Sequence, residues 1–378
     1  MAALSIIEST KEYEEWLRAQ LDNEIVEPDL ARKHEKMAES AFPFLRATYW
    51  RWAETILDIC PELANAPSVL AVGDIHLENF GTWRDEDGRL VWGVNDFDEA
   101  AEMPYVLDLL RLATSAELGC PHLESTEAIC GNIITGYQRG LDDPHAIVLD
   151  LDYAWLRKLV VVPEQDRLHF WQKVEALKPA KKPPPTRYVR MLADAMPDRK
   201  LKMKFHPRTA GAGSLGRPRW VGVAQWHGAP IMREAKAAVP SAWTRIKGRG
   251  SRALRCYEIA TGTYRAPDPW YALEDDIVVR RLSPNNRKLD AEGHPLELIS
   301  RKMLRLMGRE LAAVHLGLVD ARAAIKRDLA KRHENWLSAA VTRAAKFVRR
   351  EQKEWRRATN GVLVIATAPP NRASPRKR

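Results

Sequence analysis

The stretch Val72 to Ala100, VGDIHLENFGTWRDEDGRLVWGVNDFDEA, constrains this chain more than any other. Asp74 and Asn79 stand in a D-x-x-x-x-N spacing. Two short apolar runs flank the turn sequence Asp85, Glu86, Asp87 and Gly88, so the segment reads as a β-hairpin. Its second strand, Arg89 to Val94, delivers Asn95-Asp96-Phe97-Asp98. A hairpin brings its two ends together, so Asp74, Asn79 and Asp96 should converge despite their separation along the chain. A hard divalent cation such as Mg2+ takes oxygen ligands of this kind, completed by phosphate and water. A polar surface hairpin with incidental carboxylates is the competing reading of the same residues.

Phosphoryl transfer needs metal, positioning and a carboxylate that accepts the hydrogen of the attacking hydroxyl. A kinase catalytic loop supplies an Asp, a metal-binding Asn five residues on, and a second metal-binding Asp after a short hairpin. The stretch resembles the catalytic segment of aminoglycoside phosphotransferase-like kinases, H-G-D-x-H-x-x-N followed by I-D-F or I-D-W. More closely, GDIHLENFG with NDFDEA resembles a large bacterial family of uncharacterised proteins, a domain of unknown function in the protein-kinase-like group. The resemblance implies ATP and Mg2+, with Asp74 as catalytic base and Asn79 and Asp96 as metal ligands. It leaves Asp98 as a further candidate ligand, and Val72 stands where the phosphotransferases carry His. The same resemblance implies that Asp108, on the following helix, holds the catalytic loop through backbone amides, with Arg111 as its partner. Arg46, in FPFLRATYW, matches the place of an Arg-Gly pair in that family, with Ala47 replacing the Gly. It either contacts a phosphate or pairs with a structural carboxylate, and the second is the commoner fate.

A chain of 378 residues can bury a sizeable core and divides into two or three lobes. Four scattered Cys without a C-x-x-C pair argue against a zinc site and fit buried thiols in a reducing compartment. The opening residues turn acidic at once, unlike a signal peptide, and no apolar run reaches the ~20 residues of a membrane helix. Cytoplasm is the expected location, with no membrane partner. Residues 1–150 carry 11 Lys and Arg against 29 Asp and Glu, whereas 151–378 carry 48 against 21. An acidic half holding metal and a basic half holding phosphate suit a nucleotide cleft. Nucleic-acid binding by the basic half is the rival, and solvated helix faces are the third account.

Residues 9–60 read as helical, with Glu12, Glu14 and Glu15 early in the first helix and another helix over 41–59. KPAKKPPPTRY, 178–188, is a Pro- and Lys-rich linker. Beyond it, Gly211, Gly213 and Gly216 make a G-x-G-x-x-G match that includes Ser214. A dinucleotide-binding reading needs an apolar strand before and a helix after, and neither is present. A glycine loop inside a β-hairpin, its amides over nucleotide phosphates, is the kinase arrangement. A ligand-free turn that uses Gly for positive φ is the alternative. The next strand offers Arg233 or Lys236 as the phosphate cation, with Lys236 preferred. Glu258 is the candidate carboxylate to orient it, and Glu234 is also near. The strand 276–282 and turn 283–286 match the hinge by which kinases grip adenine. Leu296 to Val319 is an amphipathic helix resembling the one that runs directly into a phosphotransferase catalytic loop. No such loop follows it here.

The parts therefore stand in rotated order. The expected fold is α+β, a bilobal protein-kinase-like fold that reads as circularly permuted, with extra helices. The lobes are an N-terminal helical region at 1–64, a catalytic and metal lobe at 65–178, a glycine-loop β-rich nucleotide lobe at 188–290, helices completing the catalytic lobe at 295–358, and a disordered basic tail at 359–378. The expected activity is phosphoryl transfer from ATP to an unidentified hydroxyl acceptor, a small molecule or a protein. Nucleotidyl transfer on the same scaffold, a basic nucleic-acid-binding protein without catalysis and a pseudokinase scaffold are the alternatives.

Overall fold

In a computed structural model, the first helix, α1 (Ile6–Gln20), starts from a capping box. The Ser5 hydroxyl accepts from the Glu8 amide, and the Glu8 carboxylate accepts from the Ser5 amide at 3.0 Å. Glu8 is thus the first-turn acid, and Glu12, Glu14 and Glu15 lie deeper in the helix. The structure describes residues 4–22, 24–180, 182–248 and 253–366. Helix α2 (Glu27–Glu39) follows, with Pro28 in its first turn. The helix expected over 41–59 breaks at Thr48 into α3 (Ala41–Ala47) and α4 (Tyr49–Ile59).

Strand β1 (Ser68–Ala71) leads into the acidic stretch. Strands β2 (Phe80–Arg84) and β3 (Leu90–Val94) form the expected hairpin, paired from Phe80 opposite Val94 to Arg84 opposite Leu90. Gly88 takes φ of 77° in its turn. Strand β4 (Ala101–Pro104) returns antiparallel to β1, so the residues between them are held at both ends. Helices α5 (Val106–Gly119) and α6 (Thr126–Asp142) cover this unit, and the short β5 (Ile147–Val148) joins the hairpin. The irregular helices α7 (Ala154–Leu159) and α8 (Glu164–Glu175) lead to the Pro-rich break, after which α9 (Thr186–Asp194) begins.

The second unit is one antiparallel sheet. It contains β6 (Lys204–Pro207), β7 (Arg219–Trp226), β8 (Ala229–Ala237), β9 (Ala272–Glu274) and β10 (Ile277–Leu282), in the order β6-β7-β8-β10-β9. The short helices α10 (Ala242–Lys247) and α11 (Cys256–Ala260) connect β8 to β9. The amphipathic stretch 296–319 is divided into α12 (Pro295–Leu298) and α13 (Arg301–His315). The basic segment after it is likewise two helices, α14 (Arg322–Lys331) and α15 (Trp336–Ala366). The expected tail therefore starts as helix, and its remainder at 367–378 lies outside the described residues. The architecture is mixed α+β, as expected. One hydrophobic core runs from Ile6 through Leu110 to Ile277, Met307 and Val341, so the acidic and basic halves share their interior. All four cysteines are buried and free. Among the described residues no helix is long and apolar enough to cross a membrane.

Helix α13 is seated on α6 by glycines. A Cβ on Gly308 would lie 2.1 Å from the Ile133 carbonyl oxygen, and one on Gly136 would lie 1.9 Å from that of Arg305. Both neighbours are backbone and cannot rotate away. Ala is favoured over Gly in an isolated helix by about 1 kcal/mol. Gly308→Ala should nonetheless destabilise the protein by about 2 kcal/mol, because the two helices must separate. Urea unfolding checks this, and a raised midpoint would contradict the packing.

Candidate functional site

The loop after β1 is shaped by Gly73, whose φ of 81° favours glycine and whose added Cβ would lie 2.4 Å from the Glu99 carbonyl. Asp108, fully buried on α5, accepts from the amides of Val72 at 2.7 Å and Gly73 at 3.0 Å. The loop is thus held as the resemblance implies. The partner of Asp108 differs from the expected Arg111. It is His315, at the end of α13, with Nε2 3.0 Å from Oδ2 and Nδ1 2.8 Å from the Tyr137 hydroxyl. Arg111 instead donates to Asp74 Oδ1 through Nε and Nη2, and to the Leu45 carbonyl at 2.8 Å. Its guanidinium lies over the Tyr49 and Trp52 rings, at 4.9 and 5.0 Å. Burial pushes the Asp74 carboxyl up to about 7, outweighing the pull of Arg111, with Glu99 and Asp96 adding to the rise.

The hairpin brings its ends together. Asn79 Nδ2 donates to the Asp74 carbonyl at 2.7 Å, and the Asn95 amide donates to the Asn79 carbonyl at 3.0 Å. Asp96 follows directly. Burial would raise its carboxyl, but Lys236, Lys288, Arg280 and Arg219 together hold it well below the usual range, so it is ionised. Asp98 is engaged by Lys236 at 2.5 Å and by Arg217 at 3.4 Å. That corrects its candidacy as a metal ligand, since both oxygens already face cations. Asn79 Oδ1 and Asp96 remain as oxygen donors that fit Mg2+, an ion that habitually leaves most positions to phosphate and water. Among the described residues no group of three His, Cys, Asp or Glu side chains could hold a metal unaided.

The glycine loop joins β6 to β7, inside a hairpin that pairs Lys204 with Val223 and Pro207 with Trp220. Gly211 and Gly216 take φ of 76° and 96°. Gly213 is needed for closeness instead: its added Cβ would lie 3.0 Å from Asp74 Oδ2 and 3.2 Å from the Arg46 carbonyl. One cavity of about 350 Å³ is lined by Asp74, Asn79 and Asp96 on one side and by Gly211, Gly213 and Ser214 on the other. Gly216 does not line it and packs on Leu30. Arg46 lines the cavity and pairs with Glu78 at 2.5 Å, the structural-carboxylate outcome.

Strand alternation puts the two candidate cations on opposite faces of the sheet. Lys236 faces the acidic wall, 3.8 Å from Asp96. Arg233, three residues earlier, points the other way, donating to the Ala195 carbonyl at 2.6 Å and lying over Trp270. It is corrected to a packing residue. Glu258 is also corrected: it pairs with Arg255 at 2.7 Å, and Asp98 is the carboxylate on Lys236. Glu234 has a role that the sequence did not reveal. It is fully buried and receives Arg219 and Arg280, each at 2.7 Å, together with Arg208. Its three arginines come from the loop, β7 and β10, and only the strand register brings them together. Burial opposes the charge, but Arg280, Arg219 and Arg208 hold the carboxyl well below its usual range. The signal available was the alternation of Glu234 and Lys236 on one face of a strand.

A second cavity, of about 270 Å³, adjoins the first and shares Arg208, Arg280 and Lys288 with it. Trp83, Phe97, Phe170 and Tyr271 give it an aromatic lining, and Leu282 and Ser283 from the expected hinge border it.

Glu234→Gln removes one charge and leaves three arginines facing each other in the interior. A loss of about 3–5 kcal/mol is expected by denaturant unfolding at pH 7. The folded-state carboxyl is depressed below its ordinary 4.5, so the stability it contributes is present above that pH and lost as pH falls below it. The variant should therefore lose less stability on acidification than the wild type. Parallel pH profiles would contradict this account of the cluster.

Residues 26–144 match the model of a family described as an uncharacterized protein conserved in bacteria, DUF2252. No curated protein and no solved structure matches the chain. The matched segment spans α2 to α6 and so includes Asp74, Asn79, Asp96, Asp108 and Arg111, the acidic side of the site.

Proposed function

We propose that the cleft binds MgATP and transfers a phosphoryl group to a hydroxyl acceptor, on a permuted phosphotransferase scaffold. One observation carries the reading: Asp74, Asn79 and Asp96 share a cavity with the glycine loop, from which they are separated by more than a hundred residues. Kinases place the phosphate-binding Lys on the third strand of the nucleotide lobe, and Lys236 lies on β8, the third strand in chain order of the five-stranded sheet. The rotated order of parts is supported by α13, whose last residue, His315, reaches Asp108 beneath the catalytic loop.

The chain's own groups divide the work. The aromatic second cavity takes the base, and Arg208, Arg280 and Lys288 stand where it opens onto the first. Arg208, Arg280 and Lys288, which line the cavity, neutralise phosphate charge, and the loop amides of Gly211 to Ser214 supply donors. Lys236 stands behind them on Asp98 and Asp96 without lining either cavity. Asn79 and Asp96 would hold a magnesium ion, which when bound spreads the negative charge of the phosphates. Asp74 orients the acceptor hydroxyl and takes its proton. A carboxyl near 7 suits a base at neutral pH, and Arg111 fixes its direction.

ATP with Mg2+ should raise the thermal midpoint of the wild type, and neither alone should match the pair. Asp96→Ala should lose the shift, while Asp74→Asn should keep it and lose turnover, by about 100-fold or more. The base works only when ionised, so the wild-type rate should climb with pH through about 7 and level off above it. No shift in the wild type at millimolar MgATP would remove the proposal.

A further inference from the structure

We infer that Lys33 is a positioning residue of the nucleotide loop, so that the N-terminal helices are a working part of the cleft. The functional meaning rests on the phosphotransferase reading above; the geometry does not.

Three bonds join the first turns of α2 to the loop. The Val26 amide donates to the Gly216 carbonyl at 2.9 Å, the Thr209 hydroxyl donates to Asp29 Oδ1 at 2.8 Å, and Lys33 Nζ donates to the Gly213 carbonyl at 3.1 Å. Positions 26, 29, 30 and 33 lie on one helix face. They grip the loop at its start, tip and end. Leu30, on the same face, covers Gly216, where an added Cβ would meet it at 2.6 Å.

Lys33 is an expensive way to make this contact. Its side chain is buried, and its ammonium sits 4.7 Å from the Trp50 ring and 5.2 Å from that of Tyr13. Among the described residues its one hydrogen-bond acceptor is Gly213, and no carboxylate forms an ion pair with it. Burial pulls its ammonium down to about 8. A buried cation with no carboxylate in contact, only Glu14, Glu99 and Asp74 acting at longer range, costs free energy that Met or Leu at the same place would not. What the ammonium adds is a hold on the tip of the loop. The peptide bond is planar and trans, so the Gly213 carbonyl and the Ser214 N–H point in opposite directions. With the carbonyl turned to Lys33, the Ser214 amide is turned away from α2, and Ser214 lines the cavity. Lys33 thereby sets the donor that a phosphate oxygen would meet, ahead of binding.

Native-state trypsin cleavage after Arg208, which precedes Thr209 at the start of the loop, reads the clamp directly. Lys33→Met keeps the stem and removes the charge, and Thr209→Val cuts a separate bond of the same clamp. Each should speed cleavage there about ten-fold, the effect of one hydrogen bond to a charged or polar partner, while cleavage in α14 is unchanged. Lys33→Met should also raise the KM for MgATP more than it lowers kcat. Should Lys33→Met fail to fold, Thr209→Val decides alone. Unchanged cleavage after Arg208 overturns the inference. Faster cleavage in variants of a protein that shows no response to MgATP supports the clamp and removes the phosphotransferase reading.

Discussion

A buried carboxylate holds this structure's working parts in register. Asp108 has no exposure, and its two oxygens accept the amides of Val72 and Gly73 while His315 closes the remaining side. A polar group so far from water persists only where hydrogen bonds replace its hydration. The consequence is geometric. The turn carrying Asp74 is tied to α5, and α5 is tied through His315 to the far end of α13. Residues 207 positions apart are therefore joined through one carboxylate. The glycine contacts between α6 and α13 stiffen the same assembly from behind.

Opposite this floor stands a sheet whose charges compensate one another. Glu234 gathers three arginines from three segments, and Lys236, two residues on, reaches across to Asp98 and Asp96. The acidic and basic halves of the sequence meet here. Few of the carboxylates at the interface are free, and those that bind cations strongly, Asp98 and Glu234, orient the sheet against the floor. Asp96 keeps partial exposure, and Asn79 Oδ1 is left to the cavity. Structural pairing and a polar cavity thus coexist because neighbouring acids have different tasks.

The hairpin was legible because period-two alternation and an acidic turn ending in Gly88 leave few other shapes for residues 80–94. The convergence of Asp74, Asn79 and Asp96 followed from it. The glycine loop was legible as a loop between strands for the same reason. Partner choice was not. The resemblance gives Arg111 to Asp108, but Asp108 meets His315 from α13, and Arg111 donates to Asp74 and the Leu45 carbonyl instead. Glu258 was chosen for Lys236 by analogy of position, yet its short helix is half exposed and Asp98 lies closer. The partners of Glu234 and the role of Lys33 were not legible because they come from other segments, and register across a sheet or between lobes is set by the whole core. Arg233 and Lys236 could have been separated by parity alone, since the strand's apolar alternation assigns them opposite faces.

As proposed, the acidic floor and the glycine loop enclose one nucleotide. Crystals grown with Mn2+ in place of Mg2+ and a non-hydrolysable ATP analogue test it most directly, because Mn2+ is located by its anomalous scattering. The expected peak lies within coordination distance, about 2.2 Å, of an Asp96 oxygen and of Asn79 Oδ1, with the phosphates beneath Gly211 to Ser214. A nucleotide bound elsewhere, with no metal peak between Asp96 and Asn79, would contradict it.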